Sequence, residues 1–238
     1  MTAVLEQTRG HEPATWTEEE AVSRHFLRRG CGLEFEMEAR WVRTHLPTGY
    51  GRILDLGCGK GSLFEAIGPS RALGVDFSAR GLRHTRREFP TVPLLCAAAE
   101  SLPLAEATLD GLILQHVIEH LSNPVGVCRE LYRLIQPGGV LLLLTPNAEF
   151  HDWRVFDDPT HVHIYSRREL MELLVGARFE ITDLRSIGLS WFRNYHAIPS
   201  GWRLRQQVTK HAVALSKVPR WRWTGQTLCC AARRPLAS

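Results

Sequence analysis

The sequence predicts an α/β protein built on a mostly parallel sheet, and three stretches carry that prediction. In Arg52-Ile53-Leu54-Asp55-Leu56-Gly57-Cys58-Gly59-Lys60-Gly61-Ser62 a short apolar strand breaks into three glycines at alternate positions, and 62–67 (SLFEAI) reads as a helix start. A second apolar run, Ala72-Leu73-Gly74-Val75, ends in Asp76. Val140 to Leu144 is an uninterrupted apolar run of the kind buried on both faces of a parallel sheet. Strand, glycine turn and helix form the first half of a βαβ unit. A side chain at Gly57, Gly59 or Gly61 would block close approach of a ligand to the backbone, and positive φ is expected at some of them. The helix start offers N–H groups to an anionic group such as a carboxylate. Asp76, at the tip of the second strand, is placed to accept hydrogen bonds from two ribose hydroxyls. The third glycine follows the second after one residue, unlike the dinucleotide pattern G-x-G-x-x-G, which disfavours NAD or FAD.

The remaining elements follow in order. Residues 1–14 are polar and read as disordered. Thr17-Glu18-Glu19-Glu20 matches a capping box, which predicts a helix towards Leu27. Phe35, Met37, Trp41, Val42 and Leu46 predict a second helix, stopped by Pro47 and Gly49. Ser78 caps a helix over 79–88, and Val92 to Ala98 reads as the third strand. Asp110 to Val117 reads as the fourth, ending in Gln115 and His116. Ser122 with Pro124 starts a helix whose Val125, Cys128, Leu131 and Ile135 share a face, and Pro137-Gly138-Gly139 ends it. Thr145-Pro146-Asn147 closes the strand begun at Val140. Residues 148–165 form a loop rich in charge, aromatics and His. Ser166-Arg167-Arg168-Glu169 is a second capping box, opening a helix to about Val175. Phe179 to Ile187 and Thr227 to Ala232 are two further strands.

With these residues in view, D-x-G-x-G-x-G at 55–61 with an acid ending the next strand resembles the class I S-adenosylmethionine-dependent methyltransferases. Ile118-Glu119-His120 after Val117 is similar to that family's V-x-E-H segment, and Glu100-Ser101-Leu102-Pro103-Leu104 to its loop over the adenine. The loop at 148–165 and the helix and strand after it resemble small-molecule members of the methyltransferase type-11 group, the ubiquinone-biosynthesis-like enzymes. The resemblance covers about 50–188 and resumes at 226–233. It implies a Rossmann-like, seven-stranded, mostly parallel sheet in the order 3-2-1-4-5-7-6, the last strand antiparallel, with helices on both faces. It also implies S-adenosyl-L-methionine as cofactor. Asp55, Gly57, Cys58, Gly59 and Gly61 would line its turn. Asp76 and Phe77 would take the ribose side, Ala99 and Glu100 the adenine, and Gln115 the strand-four tip. Ala98 stands where many relatives carry an adenine-binding Asp, so Glu100 or a backbone carbonyl must supply that acceptor. On this reading 1–48 is a helical segment covering the site. Residues 49–238 are then the core, with a basic, aromatic insertion at 189–223.

The implied reaction is in-line transfer of a methyl group to a small-molecule acceptor, on a hydroxyl oxygen first, with nitrogen and carbon as the alternatives. Positioning the nucleophile about 3 Å from the methyl supplies much of the rate. A phenol or alcohol needs a base, and His is the usual one near neutral pH. His116, His161 and His163 are the candidates, with Tyr165 behind them. His161-x-His163 with His151, Asp152, Asp157 and Asp158 also holds metal-ligand types. Metal is not expected, because the carboxylates of metal-using methyltransferases lie at other positions.

Hydrophobic residues make up 44% of the 238-residue chain and charged residues 23%, the balance of an ordinary folded domain. No basic-then-apolar leader and no apolar run of roughly 20 residues is present, so a cytoplasmic protein is expected. The six cysteines (31, 58, 96, 128, 229, 230) lack C-x-x-C spacing and read as reduced thiols. After Asp183 the chain holds ten of its 29 Lys and Arg and none of its 25 acids. There Leu204, Val208, Ala212 and Leu215 recur at helical spacing among Trp191, Trp202, Trp221 and Trp223. This basic amphipathic stretch reads as a lid or packed helix, as a peripheral membrane contact, or as a nucleic-acid patch, in that order. Two other functions compete: methylation of RNA or protein through the basic segment, and a non-catalytic protein that binds S-adenosylmethionine or a partner.

Overall fold

The computed structural model describes residues 33–49, 51–150, 158–188 and 225–236. The helix expected at 17–27, the segment 189–223, Cys31, His151, Asp152 and Asp157 lie outside these residues. The elements are α1 (Leu33–His45), β1 (Ile53–Leu56), α2 (Phe64–Ile67), β2 (Ala72–Asp76), α3 (Ala79–Glu88), β3 (Leu94–Cys96), β4 (Leu109–Gln115), a 3₁₀ turn at Ile118–His120, α4 (Pro124–Leu134), β5 (Ile135–Pro146), α5 (Arg167–Gly176), β6 (Glu180–Ile187) and β7 (Thr227–Arg233).

The sheet order is β3-β2-β1-β4-β5-β7-β6, as the resemblance implied. β1 lies parallel between β2 and β4, with Ile53 opposite both Ala72 and Gly111. β7 runs antiparallel to both β5 and β6. Strand side chains alternate between two apolar layers, as the pleat requires. Leu54, Leu112, Leu141, Leu143, Leu228 and Cys230 face α4 and α5 through Val127, Leu131, Leu170 and Leu174. Ile53, Ile113, Leu142, Leu144 and Cys229 face α1, α2 and α3 through Met37, Trp41, Val42, Phe64 and Leu82. Both faces of the central strands are buried, which explains their nearly continuous apolar runs.

Several boundaries differ from the sequence reading. Asn123, not Ser122, caps α4, its side chain accepting from the Gly126 N–H, with Pro124 in the first turn. The helix stops at Leu134, and β5 has begun before Pro137: Ile135 pairs with Leu109 ahead of an irregularity, and regular pairing resumes at Val140. β3 is shorter than expected because its partner β2 meets it over only Gly74 to Asp76. Among the described cysteines, 58, 128, 229 and 230 are buried free thiols and Cys96 is an exposed one.

The position of α1 bears on the site. Its C-terminal end is fixed to β6, where His45 Nε2 lies 3.2 Å from Asp183 Oδ2 and Trp41 Nε1 donates to the same oxygen at 3.4 Å. Burial alone would raise the Asp183 carboxyl, but His45 and Arg185 hold it well below the usual range. The chain's other end closes α4: Arg234 Nη1 donates to the carbonyls of Tyr132, Arg133 and Ile135, and its guanidinium sits 4.7 Å from the Tyr132 ring centre. These bonds satisfy carbonyls that a helix end leaves open. Arg234→Met keeps the stem and removes the donors. It should lower unfolding stability by about 1–2 kcal/mol in urea titrations; an unchanged midpoint would mean water replaces the guanidinium without loss.

Candidate active site

The site lies at the carboxyl ends of the parallel strands, where open α/β sheets place their ligands. Gly57, Gly59 and Gly61 all adopt positive φ, at 76°, 51° and 77°. The turn is stitched to β2 because the Gly57 and Cys58 N–H groups both donate to the Val75 carbonyl, at 2.8 and 2.9 Å. The glycines serve different ends. A Cβ on Gly57 would collide with Val117, and one on Gly61 with the Phe64 ring. Gly61 is therefore required by packing as well as by φ. The helix after the turn is only four residues long. Its Phe64, Ala66 and Ile67 N–H groups bond to the carbonyls of Gly61 and Leu63, so they do not form the anion site read from the sequence.

Asp76 is the counterpart of this turn. Its Oδ2 accepts from the Gly59 N–H and its Oδ1 from the Ser78 N–H, both at 2.9 Å. Thr85 on α3 donates to the Gly59 carbonyl at 2.6 Å. The carboxylate thus shapes the turn while keeping lone pairs for a ligand, since an ionised carboxylate has about four acceptor sites. Phe77 follows with 57% of its surface exposed, a ring left at the rim of the strand tip. Ala99 and Glu100 sit in the turn closed by the Ser101 N–H on the Ala98 carbonyl, beside Asp76, whose carbonyl accepts from the Ala97 N–H. Asp55 is buried beneath the turn. Burial first, then Asp76, pushes its carboxyl up to about 7. Burial also raises Asp76, against its backbone hydrogen bonds, and pushes the Cys58 thiol well up.

The second half of the site is a polar network around the tip of β4. The strand ends at Gln115, and His116 takes φ 55°, a conformation uncommon outside glycine and found at functional turns. The departure from strand geometry turns the His116 ring towards α1. There Glu38, 5% exposed, meets three side chains. Its Oε1 lies 3.1 Å from His116 Nε2 and accepts from Thr227 Oγ1 at 2.8 Å; its Oε2 accepts from Gln115 Nε2 at 2.6 Å. Burial alone would raise the Glu38 carboxyl, but the His116 ring and these hydrogen bonds carry it below the usual value. On the other side His116 Nδ1 lies 3.4 Å from Oε1 of the fully buried Glu119, whose Oε2 accepts from Thr145 Oγ1 at 3.1 Å. One turn before Glu38, burial and the neighbouring Glu38 raise Glu34 to about 7.

The loop after β5 reaches this network from below. The N–H groups of Val162 and His163 both donate to the Glu119 carbonyl. The two histidines then diverge. The His161 ring lies tilted against that of His120, 4.9 Å between centres, whereas the His163 ring turns outward to Glu169, 3.4 Å away, and is 47% exposed. Tyr165 is buried in the core, and burial first of all raises its phenol far above the ordinary range. The turn residues and Asp76 therefore come together, as do Gln115 and His116; His161 and His163 do not share a direction. Glu119, His120 and His161 are the described residues whose donor atoms lie close enough to hold a metal ion, within 4.8 Å of one another. Sequence reasoning passed over Glu38 and Glu119 as charged partners. Glu38 had a signal: it occupies the apolar face of α1 beside Met37, Trp41 and Val42.

Residues 54–143 match the family described as a methyltransferase domain, of the type-11 group. The chain is 34% identical over 135 residues to a "Probable S-adenosylmethionine-dependent methyltransferase" of Mycolicibacterium smegmatis, covering 55% of this chain and 52% of that one. It is 23% identical over 219 residues to a ubiquinone biosynthesis O-methyltransferase of Parvibaculum lavamentivorans, covering 81% and 80%. The chain spans about half to two thirds of the length of the first curated relatives it matches. The crystal structure of the [4+2]-cyclase SpnF superposes with a TM-score of 0.62 at 23% identity, over 85% of this chain and 82% of that one, a likeness of fold alone. Among the described residues no helix is long and apolar enough to cross a membrane.

The raised carboxyl of Asp55 sets a pH dependence. Between its ordinary value and about 7 the unfolded chain is ionised while the folded carboxyl keeps its proton, so stability falls as pH rises through that window and levels off above it. Asp55→Asn removes the ionisation. It should stabilise the apo protein by roughly 2–4 kcal/mol at pH 8, each tenfold in proton affinity being about 1.4 kcal/mol, and change little at pH 4. Thermal melts at the two pH values check this; equal effects at both would place the Asp55 carboxyl in its ordinary range.

Proposed function

We propose that this chain, whose residues 54–143 are a class I S-adenosylmethionine-dependent methyltransferase domain of the type-11 group, transfers a methyl group from S-adenosyl-L-methionine to a hydroxyl oxygen of a small-molecule acceptor. The observation that carries the reading is the pairing of the positive-φ glycine turn with Asp76, which holds the Gly59 N–H and stands at the tip of β2. Ribose hydroxyls would bond the remaining acceptor positions of Asp76. The carboxylates at 55 and 76 favour a ligand that carries positive charge, and the sulfonium and ammonium groups of S-adenosylmethionine supply it. The name of the Parvibaculum relative, an O-methyltransferase, supports oxygen as the acceptor atom.

The β4 tip is the acceptor side of this reading. Once bound, S-adenosylmethionine would supply an electrophilic methyl group for in-line displacement by the acceptor oxygen, with S-adenosylhomocysteine as the leaving group. His116 takes the hydroxyl proton. Its Nε2 is held by Glu38 at 3.1 Å and its Nδ1 lies 3.4 Å from Glu119 Oε1, so the two carboxylates orient the ring. Glu38 then stabilises the imidazolium, as a buried carboxylate behind a catalytic imidazole does elsewhere. α1, carrying Glu38, belongs to the segment that covers the site. His163 lies at the rim, and His161 has the other surroundings described above.

Calorimetric titration with S-adenosylmethionine and S-adenosylhomocysteine tests the cofactor half. Both should bind, and Asp76→Ala should weaken binding by about 1.5–3 kcal/mol, the value of a hydrogen bond to a charged group. Unchanged affinity in that variant removes Asp76 from the cofactor site. His116→Asn should lower kcat on an accepted phenol or alcohol by roughly 10²–10⁴ while cofactor affinity stays constant. Retention on RNA that weakens steeply with salt would favour a macromolecular acceptor instead.

A further inference from the structure

We propose that Glu119, His120 and His161 form a binding site for one divalent cation of the zinc class, which ties the loop at 158–163 to the tip of β4. The site stands apart from the glycine turn and does not depend on the methyl-transfer reading. Two imidazoles and one carboxylate are a recurring ligand set for such ions. Here they come from two separated segments, the 3₁₀ turn at Ile118–His120 and the loop after β5, which the sequence alone gave no reason to join.

The surroundings of each residue prepare it for the role. His120 Nδ1 lies 3.0 Å from the Thr160 carbonyl, an oxygen that can only accept, so the proton sits on Nδ1 and Nε2 presents its lone pair. The Thr160 hydroxyl is also near Nδ1, but it donates to Asp158 Oδ1, which leaves Nδ1 as the donor. A ligating His that gives its other N–H to a backbone carbonyl is the usual arrangement behind a metal. Glu119 is fully buried and held from two sides, by Thr145 Oγ1 on Oε2 and by the Val162 and His163 N–H groups on its carbonyl. The His161 side chain is 9% exposed, and its Nε2 lies 4.0 Å from Asp158 Oδ2, a second carboxylate within reach of the same ion. The three donor atoms lie within 4.8 Å of one another. Atoms on a tetrahedral zinc, with bonds of about 2.0–2.2 Å, stand roughly 3.4 Å apart, so modest side-chain rotations close the set. The H-x-H pairing suggested by the sequence is not this site, because the His163 ring points to Glu169.

Co²⁺, the spectroscopic stand-in for Zn²⁺, provides the test on the chelator-stripped full chain. One equivalent should bind and give the intense visible absorption of a four- or five-coordinate ion, displaced by Zn²⁺. His120→Ala and His161→Ala should each weaken binding more than about tenfold, and His163→Ala should leave it unchanged. His161→Gln, closer in size, should match His161→Ala, and unaltered S-adenosylmethionine affinity in the same samples shows that the fold is intact. Weak, six-coordinate absorption that survives His161→Ala and His161→Gln would overturn the proposal, as would the absence of saturable binding. A variant that loses Co²⁺ but keeps the cofactor separates this site from the cofactor site.

Discussion

A single buried carboxylate, that of Glu38, joins the parts of this molecule that sequence keeps apart. It lies on α1, yet its partners are Gln115 and His116 at the end of β4 and Thr227 at the start of β7. A carboxylate this far from water survives as an anion only when hydrogen bonds and polar partners replace hydration. Glu38 accepts from Gln115 and Thr227 and faces the His116 ring, and the requirement runs in each direction. Moving α1 outward would strand Gln115 and His116; moving the β4 tip would leave the acid buried with one partner. The hydrophobic layers place α1 on the sheet, and Glu38 fixes where along the sheet it rests.

Around this hub the site concentrates acids that ordinary cores exclude. Asp55, Asp76, Glu38 and Glu119 are all buried at the carboxyl ends of the strands or in the helix above them. Asp55 and Glu34 are raised to about 7, so near neutral pH these carboxyls hold protons that a cationic ligand would displace. Coulomb attraction is large where solvent is excluded, and a sulfonium or ammonium entering beside Asp55 and Asp76 would supply the charge this arrangement lacks. The same acids that destabilise the apo fold with rising pH thereby favour a positively charged ligand over a neutral one.

The sheet was legible because its signals are local. Four- to eight-residue apolar runs, glycines where φ must turn positive and capping residues at helix starts depend on neighbours in sequence, and within the described residues they led to elements of the right kind. The turn–Asp76 pairing was legible too, since its spacing is set by one βαβ unit. The rest depended on contacts across long separations. Nothing near His116 announces that Glu38, 78 positions earlier, would meet its ring. Nothing in H-x-H spacing reveals that His161 would turn towards His120 and His163 away from it, because a loop bent by Pro159 has no fixed period. The boundary at Leu134 was displaced for a similar reason: pairing of Ile135 with Leu109 claims residues that local propensity would have left to the turn.

The division between legible and illegible parts coincides with a division of labour. The family match spans 54–143, which contains the glycine turn, Asp76 and the β4 tip. Among the described residues, Glu38, which meets the His116 ring, lies before the match begins, and the loop that grips Glu119 lies after it ends. The region that matches the family and the segments that meet the β4 tip from outside are therefore different parts of the chain. Glu34, Glu38 and His116 stand close together beside the tip of β4. On the reading proposed above, such a polar, proton-bearing wall would suit a hydroxylated acceptor better than an apolar one, which would lose hydrogen bonds worth about 1–3 kcal/mol each.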